Sequence, residues 1–196
     1  MSDSVVYKTP VSDKRAAILE TTLDLISERG FHNTPMSLVA KESSVSTGSI
    51  YHYFASKDEL IFELYKEIKL EMLRSTMKGF SEQLSIREGF LRLWFNFIEY
   101  HMYHPRRTAF LEQFENSPYS EPSIQEAFTD EIAPFIKFVN QGIEEGVLKD
   151  LPLQVEAALT FGVAVSLAQQ HIAGTLVLDN ELIEATAEAC WDAIAR

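Results

Sequence analysis

Cysteine is nearly absent from this chain: a single residue, Cys190, in 196. A lone thiol excludes an internal disulfide framework and points to a reducing cytoplasm. Glycine and proline are also scarce, at 8 and 7 residues. No run of 18 uncharged apolar residues occurs, so no membrane span and no membrane partner are expected. Met1–Thr9 lacks the apolar stretch of a secretion signal. Basic residues are outnumbered, 17 against 29 acidic, giving a net charge of −12. The deficit is uneven, with seven basic and nine acidic residues in 1–66 against ten and twenty in 67–196. There is no Ser/His/Asp order, no Gly-rich phosphate loop, no metal-ligand spacing and no paired-carboxylate context. An enzyme is therefore not expected, and neither is a cofactor.

What is present is helical periodicity, with no strand pattern, repeat or low-complexity segment. Ser12 is the expected N-cap of a first helix running to Arg29, with a buried stripe of Ile18, Leu19, Thr22, Leu25 and Ile26. Phe31 is expected to plug the core beside it. Lys8, Lys14 and Arg15 are either phosphate contacts or ordinary solvated charges. Thr34 to Lys57 then reads as two short helices joined by a tight turn. Thr34 is the expected N-cap and Pro35 the first helical residue. Leu38, Val39 and Ala40 form an apolar face, Val45 turns inward, and Ser46 caps a second helix through Phe54. Ile50, Phe54 and one face of Tyr51 are expected to pack inward there, leaving Thr47, Gly48, Ser49, His52 and Tyr53 outward. A short helix tipped with small polar groups suits a DNA major groove, which is about 12 Å wide.

With the flanking segments included, Arg15–Leu64 resembles the TetR-type family of bacterial repressors. The run Ile50-Tyr-His-Tyr-Phe-x-Ser-Lys-x-x-Leu60 is its most specific part. The resemblance implies an all-α protein: an N-terminal three-helix helix-turn-helix domain (residues 12–72, helix-turn-helix about 35–54) joined by a long helix to a C-terminal helical ligand-binding and dimerisation domain (residues 73–196). It also implies a role for Lys57, which stands where such proteins hold the DNA backbone. An ammonium beside the free N–H groups of a helix start suits a phosphate. The chain departs from the pattern in carrying Ser44 where the inter-helix turn usually has Gly. If that turn requires φ > 0, Ser44 holds roughly 1–3 kcal/mol of strain; otherwise the turn closes by another geometry.

The rest divides at Pro105 and at Ser117–Pro122 into further helices: one from about Ser85, one from Arg106 to Asn116, one from about Ser123 to Glu145 with a kink at Pro134, one over Leu153–Ala173, and one capped at Asp179–Asn180. Residues 94–138 hold 11 of the chain's 22 aromatic residues. This cluster is read either as a plain aromatic core or as the lining of a pocket for a small apolar or aromatic effector. Trp94, Phe97, His101, Phe110, Phe114, Phe128 and Phe135 are the candidate lining. His101 and His104 lie at i, i+3, but no Cys or Asp completes a metal set, so no metal site is expected. Ala158, Leu159, Gly162, Val165, Ser166 and Trp191 fall on the helices that form a dimer interface in the proteins this one resembles; intramolecular packing is the alternative.

The expected function is a ligand-responsive transcriptional regulator, a repressor released from a pseudo-palindromic operator. Thr34, Tyr51 and Lys57 are assigned to phosphates, and Thr47, Ser49 and His52 to base edges. The rival is an interaction module of the same fold that does not bind DNA, suggested by the non-basic first part and by Ser44.

Overall fold

The computed structural model describes residues 11–120 and 127–196, with side chains from Lys14 onward. The described residues form nine helices. They are α1 (Val11–Arg29), α2 (Met36–Glu42), α3 (Thr47–Tyr53), α4 (Lys57–Thr76), α5 (Ile86–Tyr103), α6 (Pro105–Glu115), α7 (Thr129–Glu144), α8 and α9 (Asn180–Ile194). Helix α8 comprises Leu153–Ala157, one wide π turn over Ala158–Gly162, and Val163–Ile172. No described helix is long and apolar enough to cross a membrane.

Two compact units emerge. One holds the described residues up to Glu67 together with Ala109–Tyr119; the other holds Ile68–Thr108 and the described residues from Ser120 on. Two of the three boundaries fall inside helices, so α4 and α6 each contribute to both units, and the third follows Tyr119, beyond the end of α6. The sequence-based division at residue 72 missed the return of α6 to the first unit.

The first unit is built as its periodicity predicts. Ile18, Leu19, Thr22, Leu25 and Ile26 of α1 are all buried, as are Val39, Val45, Ile50 and Phe54. Helix α1 starts at Val11, so Ser12 lies within it and not at its cap. Helix α2 begins at Met36 with Pro35 at the cap position. Thr34 makes no cap there: it is buried, and its hydroxyl donates to Gly30 O at 3.0 Å. Arg15 is held by Glu63 at 3.0 Å and by Glu67, with its guanidinium over the Phe54 ring, so it braces the unit internally. Phe31 packs against Phe110, Phe114 and Tyr119 rather than into the three-helix core.

In the second unit α5 is central, burying Ile86, Phe90, Leu93, Trp94 and Ile98 against residues of α7, α8 and α9. Its start is a complete capping box, Ser85 with Glu88. The helix approaches α7 so closely that a Cβ on Gly89 would lie 2.6 Å from the Phe138 ring. Likewise a Cβ on Gly142 would meet Leu148 at 2.6 Å. Pro134 sits inside α7, which begins at Thr129; the expected start at Ser123 lies outside the described residues.

Candidate nucleic-acid interface

The turn between α2 and α3 closes through its backbone. Ser44 takes φ 56°, in the left-handed region that favours glycine. Its N–H donates to Lys41 O at 3.3 Å, and the next N–H, of Val45, donates to Ala40 O at 3.1 Å. These two bonds form a Schellman motif, in which Gly is the unstrained choice at the left-handed residue. Buried Val45 is its hydrophobic anchor. Ser44 therefore reaches the geometry of a glycine turn at a cost of about 1 kcal/mol.

Helix α3 is fixed from both ends. The Ser46 hydroxyl oxygen accepts from the Ser49 N–H at 3.2 Å while its O–H donates to the Ser49 hydroxyl at 2.9 Å. Phe54 closes the other end, its N–H donating to Ile50 O, and both side chains are buried. Between these anchors Thr47, Gly48, Tyr51 and His52 are exposed and Ser49 and Tyr53 half-buried. Gly48 has ordinary helical backbone, and a Cβ built on it meets nothing within 4 Å. In the first turn of α3 a glycine is a poorer helix former than alanine, by up to about 1 kcal/mol, and no described neighbour requires it.

Helix α4 begins beside this face. The Ser56 hydroxyl accepts from Glu59 N–H at 3.0 Å, and Asp58 and Glu59 lie at its positive end. Lys57 does not extend into solvent: its ammonium donates to Phe31 O at 2.5 Å, and burial lowers its pKa against the opposing pull of Asp58. The Tyr119 hydroxyl is hydrogen-bonded to Asp58, and its pKa is raised by burial first and by that carboxylate second. Thr34, assigned to a phosphate from the sequence, offers no free hydroxyl.

The predicted ligand residues are divided between the two units. Phe110 and Phe114 belong to the first unit, where Phe114 stacks on Tyr65 with centroids 3.8 Å apart. Trp94 is fully buried and its indole N–H donates to Thr160 O at 3.2 Å, a carbonyl inside the π turn of α8. It supports that turn. Phe128 is buried at the head of α7. Phe97 touches His101 and Phe161, and Phe135 also packs on Phe161.

His101 is 3% exposed. The Thr108 hydroxyl donates to His101 O at 3.0 Å, so its oxygen receives the proton of His101 Nδ1, also at 3.0 Å. This leaves Nε2 as an acceptor, buried and unpartnered. Burial first, then the charges of Lys69 and His104, pull its pKa down to about 4. A small cavity of about 20 Å³ lies among Phe90, Phe135, Phe138, Phe161, Glu156 and Thr160. A wider groove of about 570 Å³ follows one face of α7 along Thr129, Ile136 and Asn140 and includes none of the predicted lining.

On α8 the residues Ala158, Leu159, Gly162 and Ser166 are exposed and Val165 is half-buried. Together with exposed Val155 they form a stripe of small and apolar side chains at helical spacing. Gly162 resembles Gly48, since a Cβ there meets only Ala157 O, at an ordinary 3.6 Å. Trp191 departs from the expectation: it is 9% exposed and packed on Phe90 in the core of its own unit.

Comparison with known proteins places this geometry in a family. Residues 18–64 match the model of bacterial regulatory proteins of the tetR family, and residues 85–195 match a tetracyclin repressor-like C-terminal domain. An HTH-type transcriptional regulator of Haemophilus influenzae is 27% identical over 191 residues, covering 94% of this chain and 97% of that protein. The HTH-type transcriptional repressor KstR2 of Mycobacterium tuberculosis is 27% identical over 146 residues, 71% of each chain. The crystal structure of a TetR family transcription regulator from Marinobacter aquaeolei superimposes with a TM-score of 0.88 at 26% identity, covering 94% of this chain and 96% of that one. The chain belongs to the TetR family of DNA-binding transcriptional regulators, which are not enzymes.

Proposed function

We propose that the protein is a homodimeric repressor that lays two copies of α3 into successive major grooves of a pseudo-palindromic operator, and that a small molecule held in the second unit releases it. Gly48 carries this reading. An exposed helical glycine that neither the backbone nor the packing requires makes sense when another molecule must come close to the helix, and small N-terminal residues let a backbone reach base edges. Thr47, Ser49 and His52 are then placed for base edges and Tyr51 for a phosphate. Lys57 would exchange the Phe31 carbonyl for a phosphate oxygen. The α8 stripe with Gly162 is the favoured face for a two-fold partner, which sets the two α3 helices about one helical turn of DNA, roughly 34 Å, apart. Because α4 and α6 contribute to both units, a change in the second unit has a continuous path to the first.

The test is a gel shift at low salt with the DNA upstream of the protein's own gene. Wild type should bind as a dimer. Gly48→Leu should fold normally, because the position is open, yet bind at least about 100-fold more weakly. Normal binding by Gly48→Leu would remove α3 from the groove. A folded wild-type dimer that shifts no DNA would favour the interaction module.

A further inference from the structure

Lys57 is followed in the chain by two carboxylates, Asp58 and Glu59, yet its ammonium donates to a backbone carbonyl, Phe31 O, at 2.5 Å. Both neighbours are engaged elsewhere. Glu59 accepts from the Ala55 N–H at 2.5 Å, and Asp58 accepts from the Tyr119 hydroxyl. The first contact is local; the second comes from the chain beyond α6. Tyr119 reaches Asp58 because that chain folds back. The Ser117 N–H and hydroxyl both donate to Phe114 O, at 3.0 and 2.7 Å, and the Ser117 hydroxyl oxygen accepts from the Tyr119 N–H at 3.2 Å. The Tyr119 ring then lies against Phe31, with centroids 5.1 Å apart, and against Phe114. It therefore touches both residues that govern Lys57: Phe31, whose carbonyl holds the ammonium, and Asp58, its neighbour on α4. All of these residues lie in the first unit.

Asp58 is the carboxylate whose charge reaches Lys57. Burial lowers the lysine pKa and Asp58 opposes it, so the carboxylate acts on the ammonium even while bonded to Tyr119. A DNA phosphate approaching Lys57 is repelled by that same carboxylate and competes with it for the ammonium. A carboxylate fixed by a hydroxyl donor is the weaker competitor, because its position is set and one of its acceptor sites is filled. Without the hydroxyl, Asp58 is free to turn to the adjacent ammonium. The donor is dependable: burial first, then the charge of Asp58, raise the Tyr119 pKa, so the hydroxyl keeps its proton at neutral pH.

We propose, resting on the reading of Lys57 as a phosphate contact, that Tyr119 is a positioning residue for DNA binding. Its hydroxyl holds the Asp58 carboxylate off Lys57, so that the ammonium, on leaving the Phe31 carbonyl, pairs with a DNA phosphate and not with its own neighbour.

The experiment measures binding of the full-length protein, by fluorescence anisotropy over a range of salt concentrations, to the DNA upstream of its own gene and to a shuffled duplex of equal length. Tyr119→Phe keeps the ring contacts and deletes only the hydroxyl. It should weaken binding of both duplexes by about fivefold, counted over both protomers, and flatten the salt dependence, since a phosphate contact is lost to an internal pair. In an Asp58→Asn background the same substitution should have no effect, because the carboxylate it controls is gone. Asp58→Asn alone should bind at least as tightly as wild type. Lys57→Ala should flatten the salt dependence by about one contact per protomer. A hydroxyl that merely ties two segments together would lower the melting temperature and leave the salt slope unchanged. A wild-type slope in Tyr119→Phe, or an equal loss in both backgrounds, would overturn the proposal. So would weaker binding by Asp58→Asn, which decides the question even if the Tyr119 variants fail to fold. The two readings fail separately. An unchanged slope in Lys57→Ala would remove Lys57 from the phosphate, and the proposal with it. A flattened slope there, beside an unchanged one in Tyr119→Phe, would sink the role of Tyr119 alone.

Discussion

The two units differ in where their polar chemistry is left open. In the first, buried Thr22 and Thr34 both donate to backbone carbonyls, and among the described residues no buried side-chain oxygen or nitrogen lacks a partner. Its open features, Gly48 and the residues around it, lie on the outside. The second unit holds every described orphan: the Tyr100 hydroxyl, His101 Nε2 and both oxygens of Glu156. Leaving such groups unmatched typically costs about 1–3 kcal/mol each, and folds retain them where something other than stability is served. The first unit is a finished tool that works on its surface. The second leaves polar groups unmatched in its interior.

The largest test asks whether the first unit works alone. Leu159→Asp places a charge in the exposed α8 stripe while leaving the first unit untouched. Sedimentation should show a monomer, and operator affinity should fall by about 100-fold or more, because the two grooves are no longer engaged together. A monomer that retains full affinity would make the first unit sufficient.

The cost of the incomplete interior should appear in its pH dependence. His101 is neutral when folded, with a pKa pulled down to about 4 from the usual 6.5. The unfolded chain therefore takes up a proton that the native state refuses as pH falls below 6.5. Stability from this residue is complete above pH 6.5 and is lost between about 6.5 and 4, on the order of 3 kcal/mol in all. Urea unfolding of wild type and His101→Gln at pH 7 and 4.5 checks it: the variant should show a flatter change over that window. Equal slopes would mean that the ring is protonated in the native state.

The helical glycines should respond to alanine with opposite signs in the two units. Gly142→Ala forces a methyl group against Leu148 and should destabilise by about 1–3 kcal/mol. Gly48→Ala meets open space and should stabilise by about 0.5–1 kcal/mol while weakening DNA binding. A destabilised Gly48→Ala would show an internal role for that glycine. The smallest effect belongs to the turn: Ser44→Gly relieves the left-handed serine and should raise stability by up to about 1 kcal/mol in chemical denaturation, with the operator sequence preference unchanged.

Much of this molecule was legible in advance because the governing interactions are local. Ser46, Ser56 and Ser85 cap the helices they precede, and Asp179 accepts from the Leu182 N–H at 2.9 Å. The α1 stripe is buried as its spacing requires, and Ser44 took φ > 0 because a Schellman turn leaves that residue no other basin. Failures came where spacing says that a side chain is buried but not against what. Phe110 and Phe114 have the same helical signature as Trp94, yet they serve a different unit because the boundary cuts α6 at Ala109. Thr34 looked like a cap until its hydroxyl turned back to Gly30. Glu156 gave no warning: a single acidic residue in a helix is usually solvated, and it is buried here beside Phe161 of its own π turn and three rings distant in the chain, Phe90, Phe135 and Phe138.

The order of residues, then, determined the helices, their caps, the exposed face of α3 and the strained turn, since each depends on groups within a few positions of one another. The tertiary structure alone decided which aromatics share a core, that Lys57 and Thr34 are engaged internally, and that a carboxyl group lies unpartnered among phenyl rings. Except for the Thr34 hydroxyl, which turns back only four residues to Gly30, those outcomes depend on contacts between segments far apart in the chain, whose pairing no local period encodes.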